Sequence, residues 1–222
     1  MFDLDGVVID THRAITDFWE ALARKHDVLL TPAIFDQYIY GSPALYTLDH
    51  VFPQLPSDER ERVIQSLLES ETTQTYTEVR GITALLGDLK HFGIPTALVT
   101  SGARWKVDAV LAQIGLQGLF TLEVTESDIR QGKPHPECYL LAAQKLGKAP
   151  ECCIVFEDSI NGMKAGVAAG AFGIGVRPAR IASALYEVGA RHVVADFAAI
   201  YVERLELSLG DGYRLALSRG DG

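Results

Sequence analysis

Cys153-Ile154-Val155-Phe156, followed at once by Glu157-Asp158-Ser159-Ile160-Asn161-Gly162, is the stretch on which the fold is read. An unbroken apolar run suits a strand buried on both faces, the mark of a parallel sheet. The acidic pair then falls at the strand's C-terminal end. Beyond it, Ala165-Gly166-Val167-Ala168-Ala169-Gly170 is rich in small residues, which suits a helix pressed against a sheet. Runs of the same kind lie at Ile94 to Thr100 (followed by Ser101-Gly102), Phe120 to Val124, Phe172 to Val176 and His192 to Asp196. Between them Trp105, Ala109, Leu111, Ala112 and Leu116 make one helical stripe. Cys138, Leu141, Ala142, Lys145 and Leu146 make another, closed by Gly147 as a C-cap. Alternating strands and helices predict an α/β, Rossmann-like doubly wound parallel sheet.

Upstream the character changes. From about Thr11 to Glu78 there is no buried-strand run, and Ile15, Phe18, Trp19, Leu22 and Ala23 fall at helical spacing, as do Val63, Ile64, Leu67 and Leu68. Breaks at Thr31-Pro32, Ser42-Pro43 and Leu55-Pro56-Ser57 divide the stretch, with Ser57 as a candidate N-cap. We read an all-helical insert over 13–78, within a core made of 1–12 and 79–222, on linkers near Asp10 to Arg13 and Thr77 to Gly81. At the other end, Leu205 to Leu209 and Tyr213 to Leu217 alternate around Gly210-Asp211-Gly212, a β-hairpin signal.

Composition narrows the class of partner. The 222 residues carry 20 Lys+Arg against 29 Asp+Glu, a net charge of -9. An acidic surface repels phosphate backbones, so no nucleic-acid partner is expected, and any site for an anion must be built locally. Cys138, Cys152 and Cys153 have no zinc or disulfide spacing and read as small hydrophobes. The opening Met-Phe-Asp-Leu-Asp does not read as a signal peptide, and no apolar run approaches the ~20 residues of a membrane span. The expected location is a reducing cytoplasm. The oligomeric state is left open, a monomer included.

The chemistry gathers at strand ends. If Phe2 ends a strand, Asp3 and Asp5 share a face beyond it and Leu4 turns away. Gly6 lets the chain turn there. Open α/β sheets place ligands at this edge. Glu157 and Asp158 occupy the same edge, and facing carboxylates repel unless a cation holds them. Oxygen ligands suit a hard ion, Mg²⁺ by default. Thr100-Ser101-Gly102 offers a hydroxyl and backbone N–H groups, and Gly132-Lys133-Pro134 places a cation in a loop. Singly these read as a turn, a capped helix, a loop and a surface lysine. In order, each after a strand, they read as one site.

The series Asp3-Leu4-Asp5-Gly6-Val7, Thr100, Lys133-Pro134 and Glu157-Asp158-Ser159 with Gly162 and Ala168-Ala169-Gly170 resembles the four motifs of the haloacid dehalogenase superfamily. The insert resembles its C1 helical cap, and the nearest likeness is to the β-phosphoglucomutase-like and sugar-phosphate phosphatase branch. The resemblance implies Asp3 as a nucleophile that forms an aspartyl-phosphate, and Asp5 as general acid and then general base. It implies Mg²⁺ held by Asp3, the Asp5 carbonyl and Asp158, with Glu157 as a further ligand or a neighbour of the ligands. Thr100, Ser101, Gly102 and Lys133 would grip the phosphoryl group. The substrate implied is a small phosphorylated metabolite, a sugar or polyol phosphate.

The resemblance also implies, from the carboxylate at Asp5, phosphate esters rather than carbon–halogen bonds, since dehalogenases of the superfamily carry no carboxylate there. Mutases of the branch carry a His where Ile15 stands and a basic residue near Gly41-Ser42-Pro43-Ala44-Leu45, so hydrolysis is favoured over the phosphomutase alternative. A non-catalytic phospho-acceptor or sugar-phosphate binding module is the other alternative, and it needs neither Asp5 nor a cap. His12, Arg13, His50 and Arg80 could add polarity to the cap. Only Met1 and Phe2 precede Asp3, so the first strand is expected to be very short with neighbouring ladder groups left unpaired and stability lowered, or the true start lies upstream.

Overall fold

The computed structural model describes residues 1–177 and 182–218; positions 178–181 and 219–222 of the expected core range lie outside the described residues. One parallel sheet forms the centre. Its strands are β1 (Ala97–Val99), β2 (Leu122–Val124), β3 (Ile154–Glu157), β4 (Phe172–Val176) and β5 (His192–Val194). β1 pairs with β2, and β3 with β4 and β4 with β5, all parallel.

Phe2 joins the two halves, bridging Leu98 on one side and Phe156 on the other. The expected unpaired ladder is not what is seen at this junction. Phe2 N donates to Ala97 O (2.8 Å), Val99 N to Phe2 O (2.8 Å), Phe156 N to Met1 O (2.9 Å) and Asp3 N to Phe156 O (3.1 Å). Two residues thus do the work of a strand, because each of their peptide groups finds a partner. The Phe2 ring stacks on Phe156 at 4.7 Å between centroids.

Both faces of the sheet are covered, as the apolar runs require. Phe2, Leu98, Phe156 and Ile174 pack with Ile82, Leu85 and Leu86 of α5 (Ile82–His91) and Val107 and Val110 of α6 (Arg104–Gln113). The alternate residues Ala97, Val99 and Val155 pack with Tyr139 and Ala142 of α7 (Glu137–Lys145) and Ala165 of α8 (Ile160–Ala168). A short helix α9 (Ala182–Glu187) precedes β5. The tail is larger than the expected hairpin. β6 (Tyr201–Glu203) adds to β7 (Glu206–Ser208) and β8 (Arg214–Ala216), antiparallel, with Leu207 opposite Leu215.

The N-terminal helices have a core of their own. They are α1 (His12–Lys25), α2 (Pro32–Ile34) continued by a π-helical turn Phe35–Ile39, α3 (Ala44–Val51) and α4 (Ser57–Thr73). Trp19, Leu22, Phe35, Ile39, Leu48, Phe52 and Val63 form one buried cluster. The cap of α4 is Pro56, so Ser57 is the first helical residue rather than the N-cap. The chain leaves and re-enters the core side by side: Asp10 N donates to Thr77 O and Val79 N to Val8 O, both 2.9 Å. Trp19 packs on Phe52, whereas Trp105 is 38 % exposed instead of joining the α6 stripe. Cys138 and Cys153 are buried as expected, but Cys152 is exposed.

Candidate active site

The ends of Phe2, β1 and β3 converge on one buried centre. Lys133 reaches it from the loop before α7, its side chain only 2 % exposed. Its Nζ donates to Asp3 Oδ1 at 2.6 Å, to Glu157 Oε1 at 2.5 Å and to Val99 O at 3.3 Å. Burial opposes a charged lysine, but Asp3 and Glu157 outweigh it, so Lys133 is held protonated more firmly than usual. Burial pushes the Asp3 carboxyl up to about 7, with the charges of Glu157 and Asp5 adding to the rise and Lys133 opposing it.

One carboxylate oxygen from each of Asp3, Glu157 and Asp158 lies within 4.8 Å of the others. Burial, then Glu157 and Asp3, raise the Asp158 pKa well above the carboxylate range. A cluster this rich in negative charge is unfavourable as a bare group, and its all-oxygen donor set fits a hard divalent cation. The three carboxylates differ in what they still offer. Glu157 is committed: Oε1 accepts from Lys133 and from the Tyr139 hydroxyl (2.7 Å), and Oε2 accepts from Asp158 N, Ser159 N and Ser159 Oγ. Its place is that of an anchor, orienting Lys133 and the first turn of α8. Asp3 and Asp158 are the better donors to a cation.

Close approach of backbone permits this packing. Gly6, at φ 76°, turns the chain so near Asp158 that a Cβ would lie 2.2 Å from its Oδ2. Gly162 lies over Glu157, where a Cβ would come within 1.8 Å of Oε1.

The Thr100–Gly102 turn stands beside this centre. Thr100 is 2 % exposed, and its Oγ1 accepts from Gly102 N at 3.0 Å. Among the described residues the buried Ser101 hydroxyl has no hydrogen-bond partner, and a bound oxyanion would satisfy it.

Asp5 stands apart from the lysine centre and meets a residue the sequence reading missed. Lys106 Nζ lies 3.1 and 3.0 Å from the two Asp5 oxygens and 2.7 Å from Glu71 Oε1 of α4. Other overlooked groups tie the helical insert to the core. Arg177 Nη1 donates to Asp36 Oδ1 (3.0 Å), and Asn161 Nδ2 donates to Ser42 Oγ (3.0 Å). The buried side of α6 carries Lys106, Val107, Val110 and Leu111, and that register was the signal available in the sequence for Lys106.

Residues 1–170 match the haloacid dehalogenase-like hydrolase family model. Hexitol phosphatase A of Escherichia coli (strain K12) is 37 % identical over 180 residues, 79 % of this chain and 81 % of that protein. Validoxylamine A 7'-phosphate phosphatase of Streptomyces hygroscopicus subsp. limoneus is 32 % identical over 84 % of this chain and 89 % of that one. The crystal structure of β-phosphoglucomutase from Clostridium difficile superimposes with a TM-score of 0.70 at 25 % identity, covering 89 % of this chain and 90 % of that one. The chain therefore belongs to the haloacid dehalogenase-like hydrolase family. The enzyme class expected from its motifs, a phosphoric monoester hydrolase, is the class of these two named phosphatases. Among the described residues no helix is long and apolar enough to cross a membrane.

Proposed function

We propose that this protein is a Mg²⁺-dependent phosphatase of sugar or polyol phosphates, with residues 13–78 as its cap. The reading is carried by one observation: Lys133 stands between Asp3 and Glu157, with Asp158 alongside, so nucleophile, cation donors and phosphate grip share one buried centre.

The reaction follows from the donors available. Asp3 attacks phosphorus, and an oxygen–phosphorus bond to Asp3 forms as the bond to the leaving oxygen breaks. That oxygen takes the proton of Asp5. Asp5, now a carboxylate, takes a proton from water as the water oxygen attacks phosphorus, which breaks the bond to Asp3 and releases inorganic phosphate. Lys133, the Thr100 and Ser101 hydroxyls and the Gly102 N–H offset the phosphoryl charge. Asp3, the Asp5 carbonyl and Asp158 would hold Mg²⁺, which supplies Lewis-acid charge neutralisation when bound. Glu157 serves as the anchor for Lys133.

Hydrolysis is favoured over transfer because Ile15 and the Gly41–Leu45 stretch supply no basic group for a second phosphate. The polyol class draws support from the hexitol phosphatase likeness. The test is a panel of hexitol, hexose 6- and hexose 1-phosphates, assayed with Mg²⁺ and with chelator. Phosphate released only with Mg²⁺ supports the reading. Isomerised hexose phosphate without free phosphate would establish the mutase, and no turnover of any ester would favour a binding module.

A further inference from the structure

Lys106 lies outside the Lys133 centre and has no part in the chemistry above. It is 7 % exposed, sits in the first turn of α6 and follows directly on the Thr100–Gly102 turn. An ammonium has three N–H donors. Here two contact distances run to Asp5 and the shortest, 2.7 Å, runs to Glu71 at the end of α4. The far end of α6 grips the same region: Gln113 Oε1 accepts from Tyr76 N (2.5 Å), and Gln113 Nε2 donates to Gln74 O (3.3 Å). The Tyr76 hydroxyl in turn donates to Glu71 O at 2.9 Å. One core helix thus fastens the exit of the insert at both of its ends, and at one end it also holds Asp5.

We propose that Lys106 is a positioning residue for Asp5, and that the cap loosens its hold on Asp5 through Glu71. This rests on the phosphatase reading. With both oxygens on Lys106, Asp5 must take one off the ammonium before that oxygen can carry the proton that passes to a leaving oxygen. If Lys106 had no other partner, that release would leave a buried cation under-paired, which is costly. Glu71 removes the obstacle, because one carboxylate stays on the ammonium while Asp5 works. Since Glu71 belongs to α4, this exchange of partners is available only while that helix lies against α6 as seen here.

Leaving-group dependence separates this from a general loss of structure. In single turnovers of Glu71→Gln, formation of the phosphoenzyme from a hexitol phosphate, whose alkoxide needs a proton, should slow about tenfold. From p-nitrophenyl phosphate, whose leaving group departs unprotonated, it should change less than about twofold. Equal slowing of both substrates, or of neither, overturns the proposal. A second reading needs no substrate. In Lys106→Met the backbone amides of 74–78 should exchange hydrogen faster than in wild type, and unchanged exchange overturns the clasp. A wild-type protein that cleaves neither ester overturns the phosphatase reading instead, and the exchange experiment still decides the clasp.

Discussion

Two buried lysines each hold two carboxylates, and the two clusters behave as different kinds of device. Lys133, Asp3 and Glu157 all belong to the core, with side chains 2, 7 and 0 % exposed. Lys106 is buried too, its side chain 8 % exposed, but its partners Asp5 and Glu71 are 24 and 22 % exposed and come from the first loop and from α4. The closed cluster fixes geometry. The boundary cluster has a partner to exchange, which suits the proton-moving role proposed for Asp5.

The sharpest way to break this contrast is to remove each lysine's function in turn. Lys133→Met leaves Asp3 and Glu157 facing each other without a cation, and should cost roughly 3–5 kcal/mol of stability in denaturant titration. A loss below about 1 kcal/mol would mean the closed cluster is not the rigid element described. Asp5→Asn should lower turnover of a hexitol phosphate by roughly 10²–10⁴-fold while leaving Mg²⁺ affinity near wild type, because the Asp5 carbonyl is untouched. A matching loss of metal binding would mean the side chain is a ligand.

A pH series sharpens the picture of the closed cluster. Burial raises the Asp3 carboxyl from 3.8 to about 7, so metal-free native protein keeps a proton that the unfolded chain gives up. Stability from this group is present in full below the unfolded pKa and is lost as pH rises through about 7. The melting temperature in chelator should therefore fall over that window, and saturating Mg²⁺ should flatten the fall. The exposed pair Arg62–Asp58 (2.7 Å, both side chains about two-thirds exposed) is the control, and Asp58→Asn should change stability by less than about 0.5 kcal/mol.

Much of the core was legible because its signals are local. Val155-Phe156 announces a doubly buried strand with Asp158 just past its end, and parallel topology sets that end on the same edge as Asp3 and the loop of Lys133. The acid clasp was not legible. Lys106 meets Glu71 and Asp5 across 35 and 101 residues of chain, and the apolar register of Val107, Val110 and Leu111 can turn Lys106 inward without saying which carboxylates meet it. The sequence stripe put Trp105 there, yet Lys106 is inside because two carboxylates wait for it. The first strand is very short, as expected, but its ladder is paired, because both neighbouring strands supply partners to Met1 and Phe2.

The most direct measurement is to quench turnover with acid, reduce any acyl-phosphate with borohydride and map the modified residue. The account predicts modification at Asp3, present with Mg²⁺ and substrate and absent in Asp3→Asn. Modification at another carboxylate, or none while phosphate is being released, would contradict it.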